Sequence, residues 1–210
     1  MNGVIELKAI FFDFDGVLTT DPYGSDSFMR YFTEHTSVSP DFLRHAYYKY
    51  NKGLLYGDYT HGDIWDDFCQ TVGEQLDYQL LIKSFRSTPL DFEMISFVRE
   101  LKKEYRIGLI TDNKADRIEE ILNYHSLSGL FDTVIVSAAC KCGKTDKKIF
   151  ELALNSLHVR AKDCIFIDNS HKNLVVPAEM GIHTILFDDQ VRDHSGFRKS
   201  LFDILSVNPL

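Results

Sequence analysis

The sequence has few cysteines, and their spacing fits neither a disulfide framework nor a zinc site. The 210 residues include four cysteines, Cys69, Cys140, Cys142 and Cys164, which are too few and too scattered for a chain stapled by disulfides. Cys140 and Cys142 form a CxC pair, but no second Cys or His pair stands at zinc-finger spacing. We therefore expect reduced thiols.

An excess of basic charge and a long apolar run are also missing. The net charge is −8, so we expect no basic surface that would attract nucleic acid or an anionic membrane. The N-terminal "MNGVIELKAIFF" lacks the basic start of a signal peptide, and no run is long enough to cross a bilayer. These features predict a soluble, cytoplasmic protein and leave its oligomeric state open.

Short apolar runs of strand length recur along the chain. They are "KAIFF" (8–12), "RIGLIT" (106–111), "DTVIVSA" (132–138), "DCIFID" (163–168) and "HTILFD" (183–188). Nearly continuous apolarity is typical of strands that are covered on both faces. Because segments with helical spacing separate the later runs, the pattern predicts an α/β domain built on a parallel sheet.

Two of these separating segments define a buried helix face. "KADRIEEILNYHS" places three apolar residues on one side, Ile118, Ile121 and Leu122. "TDKKIFELALNSL" predicts a second helix with the face Ile149, Leu152, Ala153 and Leu157.

The segment between the first two runs breaks the alternation. Residues 19–90 contain several helical stretches and no convincing strand, and Ser39 and Thr60 stand where N-caps are expected. This is too much chain for one crossover helix. We predict a core domain formed by residues 1–18 and 89–210, with an inserted all-helical domain over residues 19–88.

Reactive side chains follow four of the five predicted strands. In chain order they are Asp13 and Asp15, Thr111 and Asp112, Lys144, and Asp168. Ligand sites of open parallel sheets lie beyond the carboxyl ends of the strands, so these residues are expected to converge. Carboxylates suit a hard cation such as Mg²⁺, and Lys and Thr suit phosphoryl oxygens. A single Asp after a strand is often only a turn former, but the ordered set is hard to explain in that way.

Four motifs that contain these residues resemble those of the haloacid dehalogenase superfamily. "FFDFDGVLTT" matches its first motif, "GLITDN" its second, Lys144 in "SAACKCGKTDKKIF" its lysine, and "IFIDNSHKN" its acidic fourth motif. The resemblance covers nearly the whole chain and implies a Rossmann-like core. The helical segment corresponds to the cap that the superfamily inserts between its first and second motifs.

The resemblance implies phosphoryl transfer from a small phosphorylated metabolite. Asp13 would be the nucleophile that forms an aspartyl-phosphate, and Asp15 would be the general acid and base. Dehalogenases of the superfamily lack an acid at the second position, so Asp15 favours a phosphatase. A phosphomutase of the β-phosphoglucomutase type and a weakly active regulatory homologue remain alternatives.

The remaining candidates divide into phosphate ligands and metal ligands. The candidate phosphate ligands are Thr111, Asp112 and Lys144. The implied Mg²⁺ ligands are Asp13, Asp15 through its backbone carbonyl, and Asp168.

Two positions depart from the superfamily pattern. Asn169 stands where many relatives have a second Asp, which predicts a modest but adequate metal affinity. Thr145 stands where Pro is common and is expected to cap the following helix.

Three further residues stand near the expected cleft. Tyr23 and Thr20 directly follow the first motif, which favours contact with the substrate. Lys114 could add to phosphate binding or be a surface lysine. Four aromatic residues of the helical segment could form a wall that faces the substrate, but cap-core packing is expected for most of them; they are Tyr56, Tyr59, Trp65 and Phe68.

Overall fold

A computed structural model describes residues 8–207, with side chains described through Leu205. The first seven residues, part of the predicted core domain and of the N-terminal segment discussed above, lie outside the described residues, as do residues 208–210. Of the helices that the structure describes, none has the length and apolarity to cross a membrane. The four cysteines are free thiols.

A five-stranded parallel sheet forms the centre of the fold. Its strands are β1 (Ala9–Phe12), β2 (Arg106–Thr111), β3 (Thr133–Val136), β4 (Cys164–Asp168) and β5 (His183–Leu186). They lie in the order β3-β2-β1-β4-β5, and every pairing is parallel. This confirms the predicted α/β class with a parallel sheet. The strand that bears Asp13 and Asp15 lies in the middle, between the strands that lead to Thr111 and Asp168.

Helices cover both faces of the sheet, and the apolar runs are buried accordingly. In chain order the helices outside the segment between Thr19 and Leu90 are α5 (Phe92–Leu101), α6 (Ala115–Tyr124), α7 (Ser137–Cys140), α8 (Lys147–Leu157), α9 (His171–Glu179) and α10 (His194–Val207). All four residues of β1 and all five of β4 are buried. Two apolar clusters lie on opposite faces of the sheet, because alternate residues of a strand point to opposite sides.

Four helices, α1 (Gly24–His35), α2 (Pro40–Tyr56), α3 (His61–Val72) and α4 (Tyr78–Arg86), follow one another between β1 and β2. We call Gly24–Arg86 the helical insert. Ser39 accepts a hydrogen bond from the Phe42 amide at the start of α2, and Thr60 forms a capping box with Asp63 at the start of α3, as the sequence predicts. Trp65 and Phe68 are buried and stack on each other with ring centroids 5.2 Å apart.

The chain enters and leaves the insert through two adjacent segments. Thr19 and Leu90 form an antiparallel bridge, the Thr20 amide donates to the Pro89 carbonyl at 3.0 Å, and the Asp91 amide donates to the Leu18 carbonyl at 2.9 Å. The core therefore holds the insert at a narrow two-stranded neck. The division into a core domain and a helical domain with the stated bounds stays a prediction.

Some local expectations were wrong. The third strand ends at Val136 rather than at residue 138, because Ser137 begins the short helix α7 and its hydroxyl accepts a hydrogen bond from the Asn113 amide. The fifth strand ends at Leu186 rather than at residue 188.

Helix α8 also differs from its prediction. Asp146, not Thr145, caps it, and the Asp146 carboxylate accepts from the Lys148 amide at 2.9 Å. Leu152 is 37% exposed, and Phe150 and Leu154 join the buried face instead.

Candidate active site

The turn after β1 is built around Gly16. The Asp13 amide still donates to the Ile167 carbonyl of β4, so the strand pairing continues to the first aspartate. Gly16 then adopts φ +77°, and a Cβ there would lie 2.2 Å from Asn169 Nδ2. Only glycine combines this backbone conformation with so close a neighbour. The turn therefore places Asp13 and Asp15 at the carboxyl edge of the sheet, as expected from the motif.

Lys144 connects the carboxylates of Asp13 and Asp168. Its Nζ lies 2.7 Å from Asp13 Oδ1 and 2.7 Å from Asp168 Oδ2, and all three side chains are buried. Asp168 Oδ1 also accepts from the Ser170 amide at 2.8 Å and from Asn173 Nδ2 at 3.1 Å. The structure thus brings together three of the sequence-predicted residues, and hydrogen bonds fix the orientation of Asp168.

Burial shifts the protonation equilibria of this group. Loss of hydration raises the pKa of Asp13 to about 7, although the neighbouring Lys144 ammonium acts in the opposite direction and the Asp168 carboxylate adds to the rise. The surrounding carboxylates, Asp13 first among them, raise the pKa of Lys144 despite its burial. Lys144 therefore stays charged, and added positive charge near Asp13 would favour its ionised form.

Asp15 has a separate set of partners. Arg117 binds both of its carboxylate oxygens, with distances of 2.9 Å (Nη2 to Oδ1) and 3.0 Å (Nη1 to Oδ2). Asn113 Nδ2 donates to Asp15 Oδ2 at 2.7 Å. The two aspartates of the first motif thus lie in different surroundings, one beside a lysine and a second carboxylate, the other beside an arginine and an amide.

Sequence reasoning missed Arg117 and Asn113. Arg117 lies on α6 and is 1% exposed. The available signal was its position four residues before Ile121, on the face predicted to be buried, where a charged residue needs a partner. Asn113 is the last residue of the second motif, in which only Thr111 and Asp112 are predicted to bind phosphate.

Thr111 and Asp112 take different positions at the end of β2. Thr111 is buried, lines the cavity above Asp13, and its hydroxyl accepts from Asn113 Nδ2 at 3.4 Å. Asp112 Oδ1 accepts from the Lys144 backbone amide at 2.9 Å, which orients the loop that bears the lysine. Burial raises the pKa of Asp112. That either residue binds phosphate stays a prediction.

Asn169 is bound to a carboxylate outside the four motifs. Its Nδ2 donates to Asp189 Oδ2 at 2.9 Å, and Asp189 follows β5 rather than the fourth motif. Both residues line the cavity. Asp189 therefore supplies an acidic group at this edge, whereas the last four residues of the fourth motif, 170–173, contain none.

The donor set fits a hard divalent cation, although its side chains alone do not form a metal cluster. Within residues 8–207 no group of three or more His, Cys, Asp or Glu side chains is placed to hold a metal ion. Four carboxylates nevertheless gather around two cations, Lys144 and Arg117, namely Asp13, Asp15, Asp112 and Asp168. When all are ionised, two negative charges are uncompensated, and oxygen donors are those that Mg²⁺ prefers.

A cavity of about 600 Å³ opens above these residues, between the sheet edge and the helical insert. From the core it is lined by Asp13, Asp15, Lys114 and Lys144, and from the insert by Tyr47, Tyr48 and Asn51. Tyr23 lines it as expected, whereas the exposed Thr20 does not. Lys114 is 6% exposed and is therefore not a surface lysine.

Comparison with known proteins decides the family. A family model described as haloacid dehalogenase-like hydrolase matches residues 7–181. The chain belongs to this family.

Two curated relatives and one solved structure illustrate the range of similarity. This haloacid dehalogenase-like hydrolase is 37% identical over 75 residues to acyl-CoA dehydrogenase family member 10 of Mus musculus, covering 31% of the chain but only 7% of that protein. It is 26% identical over 132 residues to a sesquiterpene phosphatase of Aspergillus oryzae, covering 59% of the chain and 67% of that protein.

The solved structure is that of a HAD family enzyme from Bacteroides thetaiotaomicron in complex with magnesium and inorganic phosphate. It has a TM-score of 0.74 at 17% identity, covering 91% of this chain and 98% of that one. At this identity the similarity shows a shared fold.

Proposed function

We propose that this haloacid dehalogenase-like hydrolase is a phosphatase that uses Mg²⁺ and hydrolyses a small phosphate monoester through an aspartyl-phosphate on Asp13. One observation carries the proposal: Asp13 and Asp15 line one cavity but have different partners, Lys144 for the first and Arg117 with Asn113 for the second. Two carboxylates in different surroundings can perform two different roles in one reaction.

Asp13 forms the covalent intermediate. One of its oxygens attacks phosphorus, and the P–O bond to the alcohol breaks as the new O–P bond forms. Lys144, 2.7 Å from Asp13 Oδ1, balances negative charge that would otherwise repel the phosphate dianion. Asp13 and Asp168, with the backbone carbonyl of Asp15, would hold Mg²⁺, which when bound neutralises charge on the phosphoryl oxygens.

Asp15 moves the proton in both half-reactions. It first gives a proton to the departing alcohol oxygen, and it then takes one from the water that attacks the aspartyl-phosphate and releases phosphate. In the part of the chain that the structure describes, Oδ2 accepts from both Arg117 and Asn113, whereas Oδ1 accepts from Arg117 alone. Oδ1 therefore keeps the lone pair that is free to carry the proton.

The helical insert takes the role of a cap in this proposal. Residues 19–88 would form the cap domain over a core of residues 1–18 and 89–210, with the neck at Thr19 and Leu90 as the connection. Because Tyr47, Tyr48 and Asn51 reach the cavity from α2, the insert has side chains in position to select the leaving group. The similarity to a sesquiterpene phosphatase supports hydrolysis of a phosphate ester.

Release of inorganic phosphate from a panel of phosphorylated sugars, nucleotides and p-nitrophenyl phosphate tests the proposal, with Mg²⁺ or with EDTA. We expect Mg²⁺-dependent turnover that Asp13→Asn abolishes. Asp66→Asn, which changes an exposed carboxylate of α3, is the matched control and should keep wild-type activity.

Two results would contradict the proposal. One is the absence of phosphate release from every ester by protein that is folded. The other is isomerisation of a sugar phosphate that needs a bisphosphate activator and releases little phosphate, which would identify a mutase.

A further inference from the structure

The two lysines that line the cavity have different partners. Lys144 lies beside the carboxylates of Asp13 and Asp168. Lys114 Nζ, by contrast, donates to the hydroxyl of Tyr47 at 2.9 Å and lies 5.0 Å from the centroid of that ring. Among the residues described, no carboxylate lies within ion-pair distance of Lys114.

This arrangement is unusual for a buried cation. Lys114 is 6% exposed. A buried ammonium without a negative partner loses hydration free energy that no ion pair offsets. The Tyr47 hydroxyl accepts one hydrogen bond from the ammonium, which has three N–H groups to donate. The cavity, whose surface Lys114 helps to form, is where a further acceptor can be placed.

On the insert itself, one polar atom beside this cavity has no hydrogen-bond partner among the described residues. Asn51 lies one helical turn after Tyr47 on α2 and lines the same cavity, and within residues 8–207 its buried Oδ1 has no hydrogen-bond partner. The NH₂ group of the same amide is a donor on the helix that also bears the Tyr47 hydroxyl, so Asn51 can serve an anion in the cavity as a donor. Tyr47 and Asn51 thus bring donors from the insert to the side of the cavity where Lys114 lies.

The position of α2 is fixed against the core. Ser137 donates its hydroxyl hydrogen to the Leu55 carbonyl at 2.8 Å, and a Cβ on Gly57 would lie 2.0 Å from the Ala138 carbonyl oxygen. The C-terminal end of α2 therefore has little freedom to move away from the core. Lys114, Tyr47 and Asn51 form a preorganised group on two elements.

Three carboxylates that line the cavity have hydrogen-bond partners other than Lys114. Asp15 binds Arg117, Asp112 binds the Lys144 amide, and Asp189 binds Asn169. None of these contacts neutralises Lys114.

We propose that Lys114, with Tyr47 and Asn51, forms a second anion site for a carboxylate or a second phosphate on the leaving group of the substrate. The proposal rests on the proposed phosphatase function and specifies its substrate class: phosphate monoesters that carry another anionic group separated from the scissile phosphate. The scissile phosphate lies at Asp13 and Lys144, and the second anion accepts hydrogen bonds from Lys114. Loss of such a charge-assisted contact typically reduces affinity about 10- to 100-fold.

Three matched series of esters test this site: n-alkyl phosphates, ω-carboxyalkyl phosphates and α,ω-alkane bisphosphates of increasing chain length. We expect kcat/KM of the anionic series to exceed that of the alkyl series at one chain length, and that length measures the distance between the two sites. The carboxylate and bisphosphate arms show which anion is taken.

Lys114→Met should bring the kcat/KM ratio of anionic to alkyl esters close to one, and Lys114→Arg should retain most of the preference. Lys52→Met is the matched control, because Lys52 is exposed on α2, the helix that bears Tyr47 and Asn51, and its loss changes the net charge equally. This control should keep the wild-type ratio.

Two outcomes would overturn the site. One is an equal loss on all three series in Lys114→Met, which would place Lys114 on the scissile phosphate. The other is a preference for alkyl esters in the wild type. If no ester is hydrolysed, calorimetric binding of the same three series to the wild-type protein still tests the site: stronger binding of the anionic esters, lost in Lys114→Met, supports it, and equal binding contradicts it.

Discussion

Arg117 and Asp15 form a two-bond ion pair between α6 and the turn after β1. The pair joins residues 102 positions apart in the sequence, and the side chain of Arg117 is 2% exposed. Gly24, the first residue of α1, covers it so closely that a Cβ there would lie 2.8 Å from both Arg117 Nη1 and Asp15 Oδ2. The first turn of the insert therefore covers the ion pair on one side, while Asp15 still lines the cavity on the other.

Arg117→Met should lower both stability and turnover. It leaves the Asp15 carboxylate partly buried with Asn113 as its remaining partner, and breaking a buried pair in this way costs about 3–5 kcal/mol. Because the proposed role of Arg117 is to orient Asp15 and not to bind the ester, kcat should fall at least about tenfold while KM changes little. Urea unfolding and steady-state kinetics measure the two effects.

Arg30→Met provides the comparison. Arg30 pairs with Asp21 at 2.8 Å, but the Arg30 side chain is 44% exposed, so its loss should cost at most about 1 kcal/mol. Equal losses of stability in the two variants would show that the Arg117 pair contributes no more than a surface pair. Arg117→Lys, which keeps the charge but not the two-bond geometry, should recover stability more fully than kcat.

The sequence was sufficient to predict the sheet and the convergence of the motif residues. Nearly continuous apolar runs identify strands that are buried on both faces, and parallel strands bring the residues after their carboxyl ends to one edge. Lys144 Nζ accordingly lies within hydrogen-bond distance of both the Asp13 and the Asp168 carboxylates. The helical insert was predicted by the length of chain without a strand.

Other contacts could not be predicted, because they depend on how separate elements pack. The motif does not show that Arg117 approaches Asp15, that Asp189 approaches Asn169, or that Tyr47 reaches Lys114 from the insert. The wrong prediction that Leu152 is buried has the same cause. Helical spacing allows several faces about 100° wide, and the packing of α8 on the sheet selects the one that contains Phe150 and Leu154.

The pKa of Asp13 predicts how stability depends on pH. Because burial raises this pKa from 3.8 to about 7, the folded protein binds more protons than the unfolded chain between these values. The contribution of Asp13 to stability should therefore fall as pH rises through this window. In EDTA, Asp13→Asn should be more stable than the wild type at pH 8, by roughly 1–3 kcal/mol, with the difference shrinking towards pH 4.

Urea unfolding of the two proteins across this pH range checks the prediction, with Asp66→Asn as the control for loss of an exposed carboxylate. A wild type that is the more stable protein at pH 8 would mean that the Asp13 ion pair with Lys144 outweighs the cost of burial.

Mg²⁺ should stabilise the wild-type protein. A cation that binds only the folded state raises the free energy of unfolding by about 2.7 kcal/mol at 100 times its dissociation constant. Asp168→Asn removes one of the two buried carboxylates beside Lys144 and should abolish most of the stabilisation. Thermal unfolding with and without Mg²⁺ measures it, and Asp77→Asn, a change at an exposed cap of α4, should respond as the wild type does. Equal stabilisation of Asp168→Asn would place the cation elsewhere.

Comparison of three glycines distinguishes two reasons for glycine in the turn after β1, a left-handed backbone and close neighbours. Gly16 has φ +77° and close neighbours. Gly73 has φ +76°, but no atom of the described residues lies within 4 Å of the position that a Cβ would take, and Gly129 has neither the positive φ nor such neighbours. Alanine at Gly129 should change stability little, and alanine at Gly73 should cost about 1 kcal/mol for the left-handed backbone. Gly16→Ala should cost more, because its Cβ also meets Asn169.

A double variant distinguishes the contact from the backbone cost. Asn169→Gly removes the two atoms nearest to the new Cβ and leaves Asp189 Oδ2 at 3.2 Å. The cost of Gly16→Ala should therefore be smaller in the Asn169→Gly background than in the wild type, and should approach the cost of Gly73→Ala. Additive losses in urea unfolding would show that the contact is relieved by other movements. In that case the left-handed backbone alone requires glycine in the turn between Asp13 and the insert.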